Sequence, residues 1–222
     1  MRAEGADVID VGGESTRPGH APVSADEELR RVEPVVSALV ERALLVSIDT
    51  RKARVARRAL ELGARIVNDV SGLADPAMLG VIAESDASVV LMDDRDVRDA
   101  ADPVALVNEH LAELADRVAR AGVRRERVIV DPGFGFGKRP RENLAILREL
   151  ERLRELRLPI LVGTSRKSTI GKVLGDVPPD DRVEGTAATV AIAIAKGADA
   201  VRVHDVREMA RVARMADAIV RA

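Results

Sequence analysis

The amino-acid sequence predicts an α/β fold of the TIM (β/α)8-barrel type. Three observations point there: short β-branched runs recur along the chain, amphipathic stretches separate them, and glycines punctuate the joints between them. Strand-length runs occupy residues 7–11, 44–48, 65–70, 88–92, 128–131, 159–162 and 200–204. They are almost continuously apolar, as strands buried on both faces must be, which favours a parallel sheet with right-handed crossovers. Stretches such as 26–41, 53–62 and 104–121 place apolar residues three and four apart, the spacing of amphipathic helices.

Boundary chemistry agrees with this alternation. Ser24 with Glu27 has the form of a capping box at the start of the first long helix, and Thr50 is a candidate cap for the helix after the second strand. Gly5, Gly63, Gly122 and Gly197 each precede a strand, where a helix C-terminus needs a residue tolerant of positive φ. Seven strand–helix units can be counted, and residues 1–6 have the character of a helix end that precedes the first of them. A closed barrel needs about eight strands, since an open sheet exposes two unpaired edges. The expectation is therefore one barrel domain over residues 1–222, truncated at its N-terminus with respect to the complete (β/α)8 unit.

The chain's 222 residues carry 35 basic and 37 acidic side chains, a balance that gives no global pull toward nucleic acid or an anionic membrane. Small-molecule partners are expected instead. With no cysteine, the chain can form no disulfide, thiol nucleophile or cysteine-held zinc site, and a cytoplasmic location is expected. No apolar run of membrane-spanning length is present. Only five of the basic residues are lysines (Lys52, Lys138, Lys167, Lys172 and Lys196), so a lysine in a glycine- or serine-rich loop is more informative than any single arginine.

In a parallel barrel the ligand-binding groups come from the C-terminal ends of the strands and the loops beyond them. Nearly every predicted strand here ends in such groups. The first runs into Gly12-Gly13-Glu14-Ser15-Thr16-Arg17-Pro18-Gly19, the second ends at Asp49, the third at Asn68-Asp69, the fifth at Asp131 and the sixth at Gly163-Thr164-Ser165-Arg166-Lys167-Ser168. Asn68 and Asp69 fall on opposite faces of one strand, and Asn68 is the one expected to face the barrel interior. Asp10 is expected to be a buried structural carboxylate. Arg202 and His204 stand two apart on the last predicted strand, where a shared face would suit an anion. His110 is expected on a helix surface, and His20, His110 and His204 have no metal-ligand spacing.

The chain's only aromatic residues, Phe134 and Phe136, share one glycine-rich loop, Asp131-Pro132-Gly133-Phe134-Gly135-Phe136-Gly137-Lys138. Their clustering suggests a wall for a flat ring, with Phe134 alternatively packed beneath the loop. The loop matches neither a Walker motif nor a dinucleotide fingerprint. Lys167 and Ser168 precede a predicted helix whose exposed amides favour an anionic group.

Together, Ile9-Asp10-Val11-Gly12 through Gly19, Ser47-Ile48-Asp49-Thr50, Val67-Asn68-Asp69-Val70-Ser71-Gly72, Asp131 through Lys138, Ser165-Arg166-Lys167 and Arg202-Val203-His204-Asp205 closely resemble dihydropteroate synthase in order and spacing. The resemblance spans essentially the whole chain. It implies condensation of 6-hydroxymethyl-7,8-dihydropterin diphosphate with 4-aminobenzoate, a pterin ring held by Asp49, Asn68, Asp131 and Lys167, and a diphosphate held by Arg17, Arg202 and His204. It further implies an aminobenzoate pocket bordered by Thr16, Pro18, Phe136 and Ser168, with Met92 and Gly163 also lining the substrate site. Arg17, Lys167, Arg202 and His204 would carry the catalytic charge. Mg2+ and a homodimer through the C-terminal helices are also implied. The family's opening strand, which ends in a metal-contacting asparagine, has no counterpart here, so no metal ligand is assigned. Where the family often has Met-His-Met, this chain has Met92-Asp93-Asp94, which adds two acidic residues expected at the rim. A non-catalytic pterin-binding paralogue and a corrinoid-type methyltransferase barrel are the alternatives; the Ser165-Arg166-Lys167 and Arg202-Val203-His204 segments argue against the latter, which has no diphosphate to hold.

Overall fold

The expected alternation of strands and helices is present in the computed structural model, which describes residues 1–15 and 21–221. The strands are β1 (Ile9–Gly12), β2 (Val46–Asp49), β3 (Ile66–Asp69), β4 (Ser88–Met92), β5 (Val128–Asp131), β6 (Leu161–Val162) and β7 (Ala200–Val201). The helices are α1 (Ala25–Glu41), α2 (Ala53–Glu61), α3 (Met78–Ala83), α4 (Pro103–Arg120), α5 (Pro140–Arg148), α6 (Ser168–Val173), α7 (Val183–Ala195) and α8 (Val206–Val220). β1 to β5 pair in parallel in chain order. A bridge between Val130 and Ile160 continues the arc to β6, which pairs in parallel with β7. Among the described residues no backbone ladder joins β7 to β1, so the barrel-type arc stays open there.

The packing follows from the apolar pattern. In α4, Val104, Val107, Leu111, Leu114 and Val118 recur at alternating spacings of three and four, and all are buried in the main apolar cluster. The strands β2, β3 and β4 contribute Val46, Ile48, Val67, Val89 and Leu91 to the same cluster. A smaller cluster joins Val190 and Ile194 of α7 to Met209 and Ala216 of α8. No helix among the described residues is long and apolar enough to cross a membrane.

Three boundary readings change. The last two strands are shorter than their apolar runs, because β7 has a ladder partner on one side only among the described residues and the chain turns away after Val201. His204 thus lies in the turn before α8, where its carbonyl accepts from the Val206 amide at 3.0 Å. Thr50 does not cap α2. Its hydroxyl donates to Glu28 Oε1 at 2.6 Å, satisfying a buried carboxylate of α1, while Asp75 accepts from the first α2 amide, Ala53 N, at 2.8 Å. Ser24 does cap α1, accepting from Glu27 N at 3.2 Å, but the Glu27 carboxylate turns to Arg30 and Arg31 instead of closing the box.

The four glycines before strands all have positive φ, from 85° at Gly122 to 112° at Gly5. Two of them separate conformational from steric cost. A Cβ on Gly122 would meet nothing within 4 Å, whereas one on Gly63 would stand 2.7 Å from Val40 Cγ1. Gly122→Ala is therefore expected to cost about 1–2 kcal/mol, the penalty of the left-handed backbone alone. Gly63→Ala should cost clearly more in urea denaturation, and equal losses would show that the Val40 contact yields freely.

Candidate active site

The C-terminal ends of β1, β2 and β3 stand in register, with Gly12 beside Asp49 and Asp49 beside Asn68. This register places polar side chains at one end of the sheet. Asn68 donates through Nδ2 to Asp10 Oδ2 at 3.1 Å, and Asp69, on the other face, accepts from the amides of Ser71 and Leu73. The alternation along β3 thus sends Asn68 inward and leaves Asp69 to hold the following loop.

Asp10 and Asp49 share one counterion. Arg202 donates through Nε to Asp10 Oδ2 at 2.6 Å and through a terminal nitrogen to Asp49 Oδ2 at 2.8 Å. Each carboxylate keeps a second oxygen, Oδ1, that is buried and has no hydrogen-bond partner among the described residues. Burial, followed by repulsion from Asp10, pushes the Asp49 carboxyl up to about 7 despite Arg202 and Lys167 nearby. Burial works against charge on Arg202, but the two carboxylates outweigh it and raise its pKa further. Asp131, at the end of β5, is also raised by burial, against the Gly133 amide and the charges of Lys167, Lys138 and Arg202. Two acceptors left empty beside a fixed cation are what a ligand rich in N–H donors needs.

The loop after β5 supplies the opposite wall. Phe134 is 2% exposed and packs in the apolar core, whereas Phe136 is half-buried with Lys167 Nζ 4.1 Å from its ring centroid. One aromatic residue therefore serves the fold and the other faces the mouth, a cation–π contact at its centre. A Cβ on Gly135 would stand 3.1 Å from Lys167 Cδ, so the loop backbone lies against the lysine stem. Met92, at the end of β4 and beside Asp131 in register, is buried yet belongs to neither apolar cluster.

Beyond β6 and β7, Arg202 and His204 diverge instead of sharing a strand face. Arg202 reaches into the carboxylates, while the main-chain N and Nδ1 of His204 meet Ser165 Oγ at 3.1 and 3.0 Å. Ser165 is 4% exposed and was not picked out as a single residue by the sequence; its distance of 39 residues from His204 left no local signal. Arg166, between Ser165 and Lys167, turns away to a two-pronged pair with Asp205 at 3.0 and 2.7 Å and ties this loop to the start of α8. Gly163 passes Arg202 closely enough that a Cβ there would be 3.7 Å from Arg202 Cβ. Ser168 is exposed at the first turn of α6. Thr16, Arg17 and Pro18 lie outside the described residues.

Asp10 is hydrogen-bonded as the sequence suggests, accepting from Asn68 and Arg202, and its Oδ1 has no partner among the described residues. Two expectations are overturned. His110 is not a surface histidine: its Nδ1 lies 2.6 Å from Asp93 Oδ1 and its side chain is 14% exposed. Asp93 adds no charge to the rim, because it is fully buried against Lys138, while Asp94 remains exposed.

This arrangement has close counterparts. The model of the pterin binding enzyme family matches residues 1–204. Dihydropteroate synthase of Bacillus subtilis is 47% identical over 221 residues, covering 99% of this chain and 77% of that protein. The chain belongs to the dihydropteroate synthase family. It is accordingly a transferase of the dihydropteroate synthase type, with the barrel fold of that family. Among solved structures, FolP (dihydropteroate synthase) from Clostridium difficile in the presence of pteroic acid is 48% identical with a TM-score of 0.96, covering 100% of this chain and 85% of that one. The Xanthomonas albilineans dihydropteroate synthase with 4-aminobenzoic acid is 43% identical with a TM-score of 0.95, covering 98% and 81% respectively.

Because Arg202 bridges two nearby carboxylates, Arg202→Met is expected to destabilise by about 1–3 kcal/mol, less than a fully buried pair would lose because the arginine is half in solvent. Adding Asp10→Asn should recover part of that loss in urea denaturation. A double variant less stable than Arg202→Met would contradict the shared counterion.

Proposed function

We propose that the chain is one pterin-binding barrel domain that condenses 6-hydroxymethyl-7,8-dihydropterin diphosphate with 4-aminobenzoate, releasing 7,8-dihydropteroate and diphosphate. The observation that carries the site assignment is the pair of orphaned, buried carboxylate oxygens on Asp10 and Asp49 beside Arg202. In this reading Asp49, Asn68 and Asp131 meet the donors and acceptors of the pterin, Lys167 lies against it with Phe136 behind, and Met92 and Gly163 line the same space. Arg202 and His204, with Arg17, hold the diphosphate. Thr16, Pro18, Phe136 and Ser168 border the aminobenzoate. The small-molecule ligands of the related structures, 4-aminobenzoic acid and pteroic acid, support this class of substrate.

The chemistry is displacement at the pterin methylene. The arylamine nitrogen forms a bond to that carbon as the carbon–oxygen bond to diphosphate breaks, and the amine proton passes to solvent. The neutral lone pair attacks without a strong base, so the chain's main task is to stabilise the departing anion. Arg202 is already charged and aimed at the mouth. On taking a phosphate oxygen it releases Asp49, whose freed oxygens can then accept N–H donors of the ring.

Mg2+ is implied by the family, yet among the described residues no group of three acidic or imidazole side chains could hold a metal ion. The orphaned oxygens of Asp10 and Asp49 stand on carboxylates already engaged by a guanidinium. These residues by themselves do not fit a Mg2+ site, and no step is assigned to the ion. The cytoplasmic homodimer belongs to the same proposal; Ile192 on α7 with Met215 and Ile219 on α8, all strongly exposed and apolar, support a dimer face there.

A diphosphate-release assay tests the reading. The chain should release diphosphate only when both substrates are present, and Lys167→Ala should lower kcat/KM for the pterin substrate about a hundredfold or more. Pterin binding without release would instead identify a non-catalytic paralogue. The raised Asp49 pKa gives a second outcome: the carboxyl keeps its proton below about 7, and a ligand that needs the anion binds less well in acid. Calorimetric affinity for the pterin is expected to be about tenfold weaker near pH 6 than near pH 8, with a smaller slope in Asp49→Asn. A flat profile in the unsubstituted chain would argue that Asp49 does not bind the ring as an anion.

A further inference from the structure

The segment after β4 holds a buried ion pair that the proposed chemistry does not use. The side chains of Asp93 and Lys138 are both 0% exposed, and Lys138 Nζ donates to Asp93 Oδ2 at 2.7 Å, to the Asp93 carbonyl at 3.1 Å and to the Phe136 carbonyl at 2.9 Å. All three ammonium protons are thereby used. The other carboxylate oxygen, Oδ1, accepts from His110 Nδ1–H at 2.6 Å, and Arg95 Nε lies 3.5 Å away. A buried pair so completely satisfied adds little net stability over an apolar substitute, so its placement calls for a positional reason.

The same loop is held from both sides. A Cβ on Gly133 would stand 1.8 Å from the Asp93 carbonyl oxygen, and one on Gly137 2.2 Å from the Arg95 carbonyl oxygen, while Val97 N donates to Gly137 O at 3.1 Å. On the far side, Gly135 N donates to Asn143 Oδ1 at 2.7 Å, and Asn143 in turn donates to Thr169 of α6. Between these contacts the chain presents Phe136, whose carbonyl is held by Lys138 and whose ring lies under Lys167. A continuous set of contacts therefore runs from His110 through Asp93, Lys138 and Phe136 to the lysine at the barrel mouth.

We propose that Asp93 and Lys138 are positioning residues: their buried pair, backed by His110, fixes the Phe136 ring at the barrel mouth, and so sets the affinity of the site for 4-aminobenzoate. This rests on the substrate reading above, but the placement itself does not. The chain contains no tryptophan or tyrosine, so Phe136→Trp introduces a single indole that reports the loop directly. Adding Asp93→Asn to Phe136→Trp is expected to shift the emission to the red and raise acrylamide quenching roughly twofold, as an aromatic ring loosened into water would.

In the assay, Asp93→Asn alone should raise KM for 4-aminobenzoate about tenfold with kcat changed less than about twofold, the signature of a misplaced binding wall. In a Phe136→Ala background the Asp93→Asn effect on KM should vanish, because both act through one ring. If Asp93→Asn does not fold, His110→Ala, which removes only one hydrogen bond from Asp93, should move emission and KM the same way by about threefold. A folded Asp93→Asn protein with unchanged emission and KM overturns the proposal, as do effects of Asp93→Asn and Phe136→Ala that multiply. A chain that releases no diphosphate but shows the emission shift refutes the synthase reading and leaves the positioning role standing.

Discussion

Two carboxylates, Asp10 on β1 and Asp49 on β2, sit side by side in a region of low solvent access and are held by the one guanidinium of Arg202. Placing like charges together away from water is costly, and a shared counterion offsets it only while both stay paired. That constraint explains the local arrangement. It links the end of β7 to β1 across the open side of the arc, accompanies an Asp49 carboxyl raised to about 7 by burial and by Asp10, and leaves two oxygens with no partner among the described residues. Competition between ligand and carboxylates for one arginine is therefore part of the site.

The opposite wall works by a different rule. Asp131 and Lys167 bring opposite charges to the strand ends, and the loop between them and the helices is made of glycines whose missing side chains let backbone approach backbone. Phe136 turns its ring toward that space, with Phe134 taken by the core. A flat apolar surface beneath an ammonium suits a heterocycle better than a purely ionic pocket would, because the ring face and the cation attract each other and both can lie along a planar ligand.

The two acids that follow β4 have unlike surroundings. Asp93, read from sequence as a rim charge, is balanced internally by Lys138 and His110 and is withdrawn from the substrate space. Asp94, one residue on, stays exposed. Adjacent residues at a strand end point to opposite sides, so two neighbouring acids met unlike environments.

The sequence by itself determined the order of strands and helices, the glycine joints, the opposite facing of Asn68 and Asp69, and the set of strand-end residues from which a site could be built. These are local properties, set by periodicity of two or 3.6 residues and by backbone conformations that only some residues tolerate. Pairings made between residues far apart in the chain were decided by the tertiary structure alone. Asp10 with Arg202 spans 192 positions, Thr50 with Glu28 spans 22, and His110 with Asp93 spans 17. No periodic pattern encodes such partners, because a buried polar group is satisfied by whatever side chain the packed elements bring within about 3 Å of it.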